Sequence, residues 1–272
     1  MTPKQFQKTV WEYYKKHGRV LPWRLTDGTE LSAYKILVSE YMLQQTQVDR
    51  VIPKYQAFLK RFPTIVKLAE SSNADVLSLW SGLGYNRRAL FLKRAAEKIV
   101  HEYGKKIPRS TETLQTLPGI GSYTAGAIMS FAWNTPSVCI ETNIRTVYIH
   151  HFFADREEKV SDQELLSVIQ KTCDIQNPRE WYWALMDYGA YLKSQGVKTH
   201  RKSGSYAKQK AFKGSLREVR GAILKILTKN PRISLVKLYT QLPFDIERTE
   251  RALGDLKKEG ILVEERKHVR IC

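Results

Sequence analysis

The sequence predicts an all-α fold that closes on a small winged-helix-like unit. Three observations carry this. Across the first 192 residues, apolar side chains recur at helical spacing and period-two alternation is scarce. The breaks are short and marked by Pro, Gly or Asn: Phe62-Pro63, Gly82-Leu83-Gly84, Lys106-Ile107-Pro108, Pro118-Gly119 and Asn177-Pro178. Strand-like alternation enters only at the end, in Ile261-Leu262-Val263 and His268-Val269-Arg270-Ile271.

Taken in order, the first helix covers 3–16, with Phe6, Val10, Tyr13 and Tyr14 at helical spacing. Further helices are expected over 33–47, 50–60, 73–80, 87–103, 111–116, 122–132, 142–153, 161–173 and 179–193. Together 1–192 read as one helical domain. Residues 193–214 read as a basic linker, with seven Lys or Arg and no acid in 193–213. It is either a solvated tether or a strap that contacts phosphates. Residues 215–272 form the last unit. Leu216, Val219, Ile223 and Leu227 mark its first helix. Ser234 caps a short second helix through Leu238, and Asp245 caps a third that stops at Gly260. Three helices and a hairpin make the winged-helix pattern, which serves as a DNA reader or as a packing module.

Composition narrows the partners. With 272 residues and 42% hydrophobic content, the chain can bury a sizeable core in more than one domain. Forty-five basic against 27 acidic residues give +18, and +12 of it lies from residue 193 onward. Such a balance points to a polyanion, nucleic acid before an anionic membrane. No apolar run reaches the roughly 18 residues of a membrane span, and the first residues lack a signal-peptide core. Cys139, Cys173 and Cys272 lie far apart, which excludes a disulfide framework and metal-ligand spacing. The expectation is a cytoplasmic monomer, nucleoid-associated if bacterial, with no cofactor and no metal.

Three segments carry chemistry. In Leu117-Pro118-Gly119-Ile120-Gly121-Ser122-Tyr123-Thr124 a helix ends, two glycines permit a tight turn and a helix begins. Pro118, Gly119, Ile120, Gly121, Ser122 and Thr124 are therefore candidates for receiving a DNA phosphate at a helix N-terminus. In Ser39-Glu40-Tyr41-Met42-Leu43-Gln44-Gln45-Thr46-Gln47 a carboxylate sits among apolar residues, followed by a run of amides. Desolvation raises a carboxyl pKa and makes Glu40 a candidate general acid, while Gln44 and Gln45 could fill the place of an extruded base. In Cys139-Ile140-Glu141-Thr142-Asn143-Ile144-Arg145 a second carboxylate precedes a helix. There it would stay ionised, with Asn143 beside it; Asn143 or Thr142 as a plain helix cap is the alternative. One protonated and one charged carboxylate suit cleavage of a glycosidic bond through an oxocarbenium-like state.

Together these segments resemble the helix-hairpin-helix-GPD superfamily of DNA glycosylases, whose fold has two helical lobes. Leu21-Pro22-Trp23-Arg24, the Ser39–Gln47 string, Gly82-Leu83-Gly84-Tyr85 and Ala184-Leu185-Met186-Asp187-Tyr188-Gly189-Ala190 resemble its MutY-like, adenine-specific mismatch branch over residues 6–192. The resemblance implies a monofunctional hydrolase of base excision repair acting on adenine opposite 8-oxoguanine or guanine in double-stranded DNA. Glu40 would protonate N7 of a flipped adenine. Glu141, with Asn143, would stabilise the sugar cation. Tyr123 stands where strand-cleaving relatives carry a Schiff-base lysine. Arg19, Trp23, Arg24 and Asp187 would line the adenine pocket, and Gln45 and Tyr85 would enter the duplex.

The chain departs from the family pattern in three places. Family members usually carry four cysteines for an iron–sulfur cluster after the Met-Asp-Tyr-Gly-Ala segment, and 191–212 has none. A winged-helix-like tail stands where they usually carry a Nudix-like domain that reads 8-oxoguanine. Glu141 replaces their Asp and is longer by one methylene. The alternatives are a thymine or uracil mismatch glycosylase, which N7 protonation by Glu40 disfavours, and a non-catalytic DNA-binding protein on a decayed glycosylase fold.

Overall fold

The computed structural model describes residues 1–25, 32–209 and 211–272, so Lys210 of the basic segment lies outside the described residues. Helices dominate. The described residues divide into two compact units: Met1–Ile36, Arg109–Thr116 and Ile120–Lys208 in the first, and Leu37–Pro108, Leu117–Gly119 and Gln209–Cys272 in the second.

In the first unit, α1 (Pro3–His17) begins at Thr2 with a capping box to Gln5. The α7 helix (Thr111–Gln115) is capped by Ser110 and is followed, after the glycine turn, by α8 (Ser122–Trp133), which is buried along most of its length. Three more helices follow: α9 (Thr142–Phe152), α10 (Asp162–Thr172) with a Ser161–Glu164 capping box, and α11 (Pro178–Ser194) with Pro at its first turn. Phe6 of α1 packs within 5.0–5.9 Å of Tyr148, Phe152 and Trp181, so one aromatic cluster joins α1, α9 and α11.

In the second unit lie α3 (Val48–Arg61), α4 (Ile65–Ala69), α5 (Asn73–Trp80) and α6 (Arg87–Glu102). Phe58, Phe62 and Trp80 pack edge to face in its core. Its C-terminal part runs α12 (Leu216–Lys229), β1 (Arg232–Ser234), α13 (Leu235–Gln241), α14 (Ile246–Lys258), β2 (Leu262–Glu265) and β3 (His268–Ile271). The antiparallel sheet has the order β1-β3-β2, with Ile233 opposite Val269 and Val263 opposite Arg270. That is the element order of a winged helix, and Ser234 and Asp245 cap its second and third helices as expected.

Four segments differ from the expectation. The helix expected over 33–47 is α2 (Ala33–Leu43), which stops early because Gln45 is left-handed at φ +54°. The segments α4 and β1 were not expected: five and three residues are too short for periodicity. Thr64 starts α4 by accepting from Lys67 N at 3.2 Å, and β1 exists through its pairing with β3. The basic segment after α11 is tied down over much of its length. It forms a 3₁₀ turn at Thr199–Lys202, and Lys202 Nζ donates to the carbonyls of Ala154 and Arg156 at 2.6 and 2.8 Å. Ser203 bridges to Val160.

Candidate active site

Glu40 sits in α2 between Ser39 and Tyr41, all three buried. Only 6% of Glu40 is exposed, and Ile36, Leu37, Val38 and Met42 around it in the helix are buried too. The next residues turn on a cation. The guanidinium of Arg88, from the first turn of α6, donates to the Tyr41 and Met42 carbonyls at 2.8 and 3.0 Å. These belong to the last turn of α2, whose carbonyls lack intrahelical N–H partners. Arg88 also donates to Thr46 Oγ1 and the Gly84 carbonyl, each at 2.9 Å. Its guanidinium lies over the Trp80 and Tyr85 rings. Burial lowers its pKa to about 10, which leaves it charged at neutral pH. Arg88 thus joins the loop bearing Gln44 and Gln45 to the loop bearing Tyr85. Sequence reasoning missed it; the signal was an arginine just inside a helix after a glycine turn.

Gln45 and Tyr85 are both left-handed, at φ +54° and +48°, a conformation non-glycine residues hold only when surrounding contacts enforce it. The Tyr85 hydroxyl accepts from Gln209 Nε2 and from Arg217 at 2.7 Å, and Arg217 lies 5.3 Å over its ring. Both partners come from the C-terminal part of the same unit and were not found from sequence. A cleft of about 1030 Å³ opens there, lined in part by Gln45, Tyr85, Arg87, Phe91, Arg217 and Lys225.

The glycine turn is fixed from one side. Gly119 has φ +82°, and a Cβ there would lie 2.9 Å from Phe91 and 3.1 Å from Tyr41. The Pro118 carbonyl accepts from Tyr41 Oη, and the Gly119 carbonyl from Gln44 Nε2 at 3.2 Å. Ile120 is buried, Gly121 caps α8 without a side-chain hydrogen bond, and Gly121 and Ser122 are exposed. Tyr123 and Thr124 belong to the first turn of α8, Tyr123 half-buried and Thr124 buried. Gly119→Ala is expected to cost about 1–3 kcal/mol through strain and overlap. Gly121→Ala, with nothing within 4 Å of the new Cβ, should cost less. Urea unfolding of both variants checks this, and equal losses would contradict it.

In the first unit, Glu141 itself caps α9. Its Oε1 accepts from the Asn143 and Ile144 amides at 2.8 and 3.1 Å. Neither Asn143 nor Thr142 is the cap, because a carboxylate takes both amides at once. Asn143 Nδ2 donates to Oε2 at 3.3 Å. Burial pushes the Glu141 pKa up, against the two amides, Lys193 and Arg145, which pull it down. The helix end and the two cations favour the ionised form expected of Glu141, and desolvation opposes it.

Asp187 of α11 is the one acid among the predicted pocket residues, and both of its carboxylate oxygens are engaged. Arg24 grips it with two nitrogens at 2.8 and 2.9 Å, and Arg19 adds Nε at 2.7 Å and its backbone amide at 2.8 Å. The Asp187 side chain is 1% exposed and that of Arg24 6%. Trp23 is buried, and Arg24 lies over the Trp183 ring. The structure therefore brings Arg19, Arg24 and Asp187 together, with the carboxylate spent on holding the two arginines.

The segment after α11 does not fit an iron–sulfur cluster: it has no cysteine, and Thr199 and Lys202 fasten it to backbone carbonyls. Among the described residues, no group of three or more His, Cys, Asp or Glu could hold a metal ion. No helix there is long and apolar enough to cross a membrane.

Comparison with known proteins bears on this geometry. A family model described as "HhH-GPD superfamily base excision DNA repair protein" matches residues 38–171. An adenine DNA glycosylase of Mycolicibacterium smegmatis is 34% identical over 272 residues, covering 92% of this chain and 90% of the relative. The adenine DNA glycosylases of Buchnera aphidicola (subsp. Baizongia pistaciae) and Homo sapiens are each 38% identical, over 71% and 68% of this chain. The chain spans 54% and 35% of their lengths. In fold it is similar to a thermostable thymine-DNA glycosylase, with TM-score 0.64 and 23% identity over 75% of this chain and 96% of that one.

Proposed function

The chain belongs to the HhH-GPD superfamily of base excision DNA repair proteins, and from that premise we propose that it hydrolyses the N-glycosidic bond of a flipped, mispaired adenine in duplex DNA without cutting the strand. The observation that carries the reading is Glu40, a carboxyl group kept 6% exposed on an apolar helix. Such a placement takes the carboxyl group out of water, which favours its protonated form. The adenine DNA glycosylase relatives support the choice of base.

A base must leave the stack before its glycosidic bond can be reached. Gln45 and Tyr85, on their strained loops, are the side chains that fill or wedge the duplex. The cap of α8 at Gly121 and Ser122 receives a backbone phosphate. Trp23, with the Arg19–Arg24–Asp187 cluster, frames the base. Glu40 gives its proton to N7 as the C1′–N9 bond breaks and its electron pair goes to the base. Glu141 faces the cationic sugar, and a water oxygen then bonds to C1′ and gives its proton to solvent. Tyr123 has a phenol where imine chemistry requires an amine, so lyase chemistry is not available there. The opposite base is guanine or 8-oxoguanine, and the enzyme acts as a cytoplasmic monomer, nucleoid-associated if bacterial.

Duplexes holding A, T or U opposite G, C or 8-oxoguanine test this. Abasic strands that break only after alkali should form from the A·G and A·8-oxoguanine duplexes, and borohydride should trap no protein–DNA adduct. Excision confined to T or U opposite G would replace adenine with a pyrimidine. Strong trapping would end the monofunctional assignment.

A further inference from the structure

We propose that Lys193 is a positioning residue for Glu141, fixing the Asn143 amide against that carboxylate and placing a positive charge beside the pair. The proposal rests on the reading of Glu141 as the group that stabilises the sugar cation.

The arrangement begins at Gly189. A Cβ there would lie 2.4 Å from the Asn143 carbonyl oxygen and 2.8 Å from Asn143 Cβ. Only a residue without a side chain lets α11 touch the start of α9 so closely. Position 193 lies one turn further along α11, on the same helix face. From there Lys193 Nζ donates to Asn143 Oδ1 at 2.9 Å. An ammonium can only donate and an ionised carboxylate can only accept. Asn143 stands between the two, so its amide has a single satisfying orientation. Oδ1 faces Lys193, and Nδ2 faces Glu141 Oε2 at 3.3 Å.

The charges around Glu141 reinforce this. Lys193 from α11 and Arg145 from its own helix both favour the ionised carboxylate, against the burial that raises its pKa. Arg145 is committed elsewhere, to Asp162 at 2.8 and 2.9 Å. His200, in the 3₁₀ turn near Lys193, has its pKa lowered by burial and by Lys193 and Arg201, so it adds no charge at neutral pH. Lys193 is therefore the cation whose removal should be felt.

The sign is fixed. Taking away a neighbouring positive charge raises a carboxyl pKa, and Glu141 must be ionised to act, so the acidic limb of the rate profile should move to higher pH. For Lys193→Met we expect a shift of about one pH unit, roughly tenfold slower excision on that limb and little change on the alkaline side. Lys193→Gln keeps a donor for Asn143 without the charge and should show the same shift, while Lys193→Arg should restore the original profile. Single-turnover adenine release between pH 5 and 9 reads all three. Lys193 is exposed, so the variants should fold, and thermal melting checks that. A Lys193→Met profile that superimposes on the original overturns the proposal while leaving the role of Glu141 intact. A loss of melting temperature with no movement of the acidic limb overturns it equally. Glu141→Gln is the separate control: near-complete loss supports the reading of Glu141, and full activity overturns that reading and the proposal with it.

Discussion

Replacing Glu40 with Gln should slow single-turnover adenine release by about 10²–10⁴-fold, the usual cost of losing a general acid. The amide keeps the shape of the carboxyl group but cannot protonate N7. DNA affinity should stay within a few-fold, because the contacts proposed for the phosphate and the wedge lie on other residues. Melting temperature should stay close to the original, since the amide and the protonated carboxyl group are both neutral and alike in size at a site 6% exposed. Unchanged excision would remove Glu40 from the chemistry. Loss of activity with loss of folding would make it structural.

The second large effect concerns stability. Asp187→Ala leaves Arg24, its side chain 6% exposed, without the carboxylate that now meets two of its nitrogens. Removing one partner of a buried ion pair typically costs about 3–5 kcal/mol, because the other charge stays buried alone. Chemical denaturation should show a loss of that order. Asp187→Leu combined with Arg24→Met should cost less than Asp187→Ala alone. If Asp187→Ala unfolds at the original denaturant concentration, the cluster carries no structural load.

Much of this was legible in the sequence because it is local. Periodicity and caps located the helices, and Ser234 and Asp245 cap where their residue types promised. Glu40 stood out as the carboxylate of an apolar run, and the hairpin glycines announced a turn. What stayed hidden depends on residues far apart in the chain. Arg88 reads as a surface charge on α6 until its guanidinium is seen on the Tyr41 and Met42 carbonyls. Arg217 and Gln209 reach Tyr85 across more than a hundred residues. Lys193 looked like the start of a basic tether, and only the close approach at Gly189 shows what it faces. The capping role of Glu141 was half legible: a residue before a helix was expected to cap, but Asn143 or Thr142 has the commoner residue type for it.

Chromatographic identification of the free base tests the central claim most directly. The full chain is incubated with a duplex containing one adenine opposite 8-oxoguanine and, in a parallel reaction, with one containing thymine opposite guanine. The account predicts free adenine from the first, stoichiometric with abasic sites, and no free thymine from the second. Free thymine, or abasic sites in neither duplex, would contradict it.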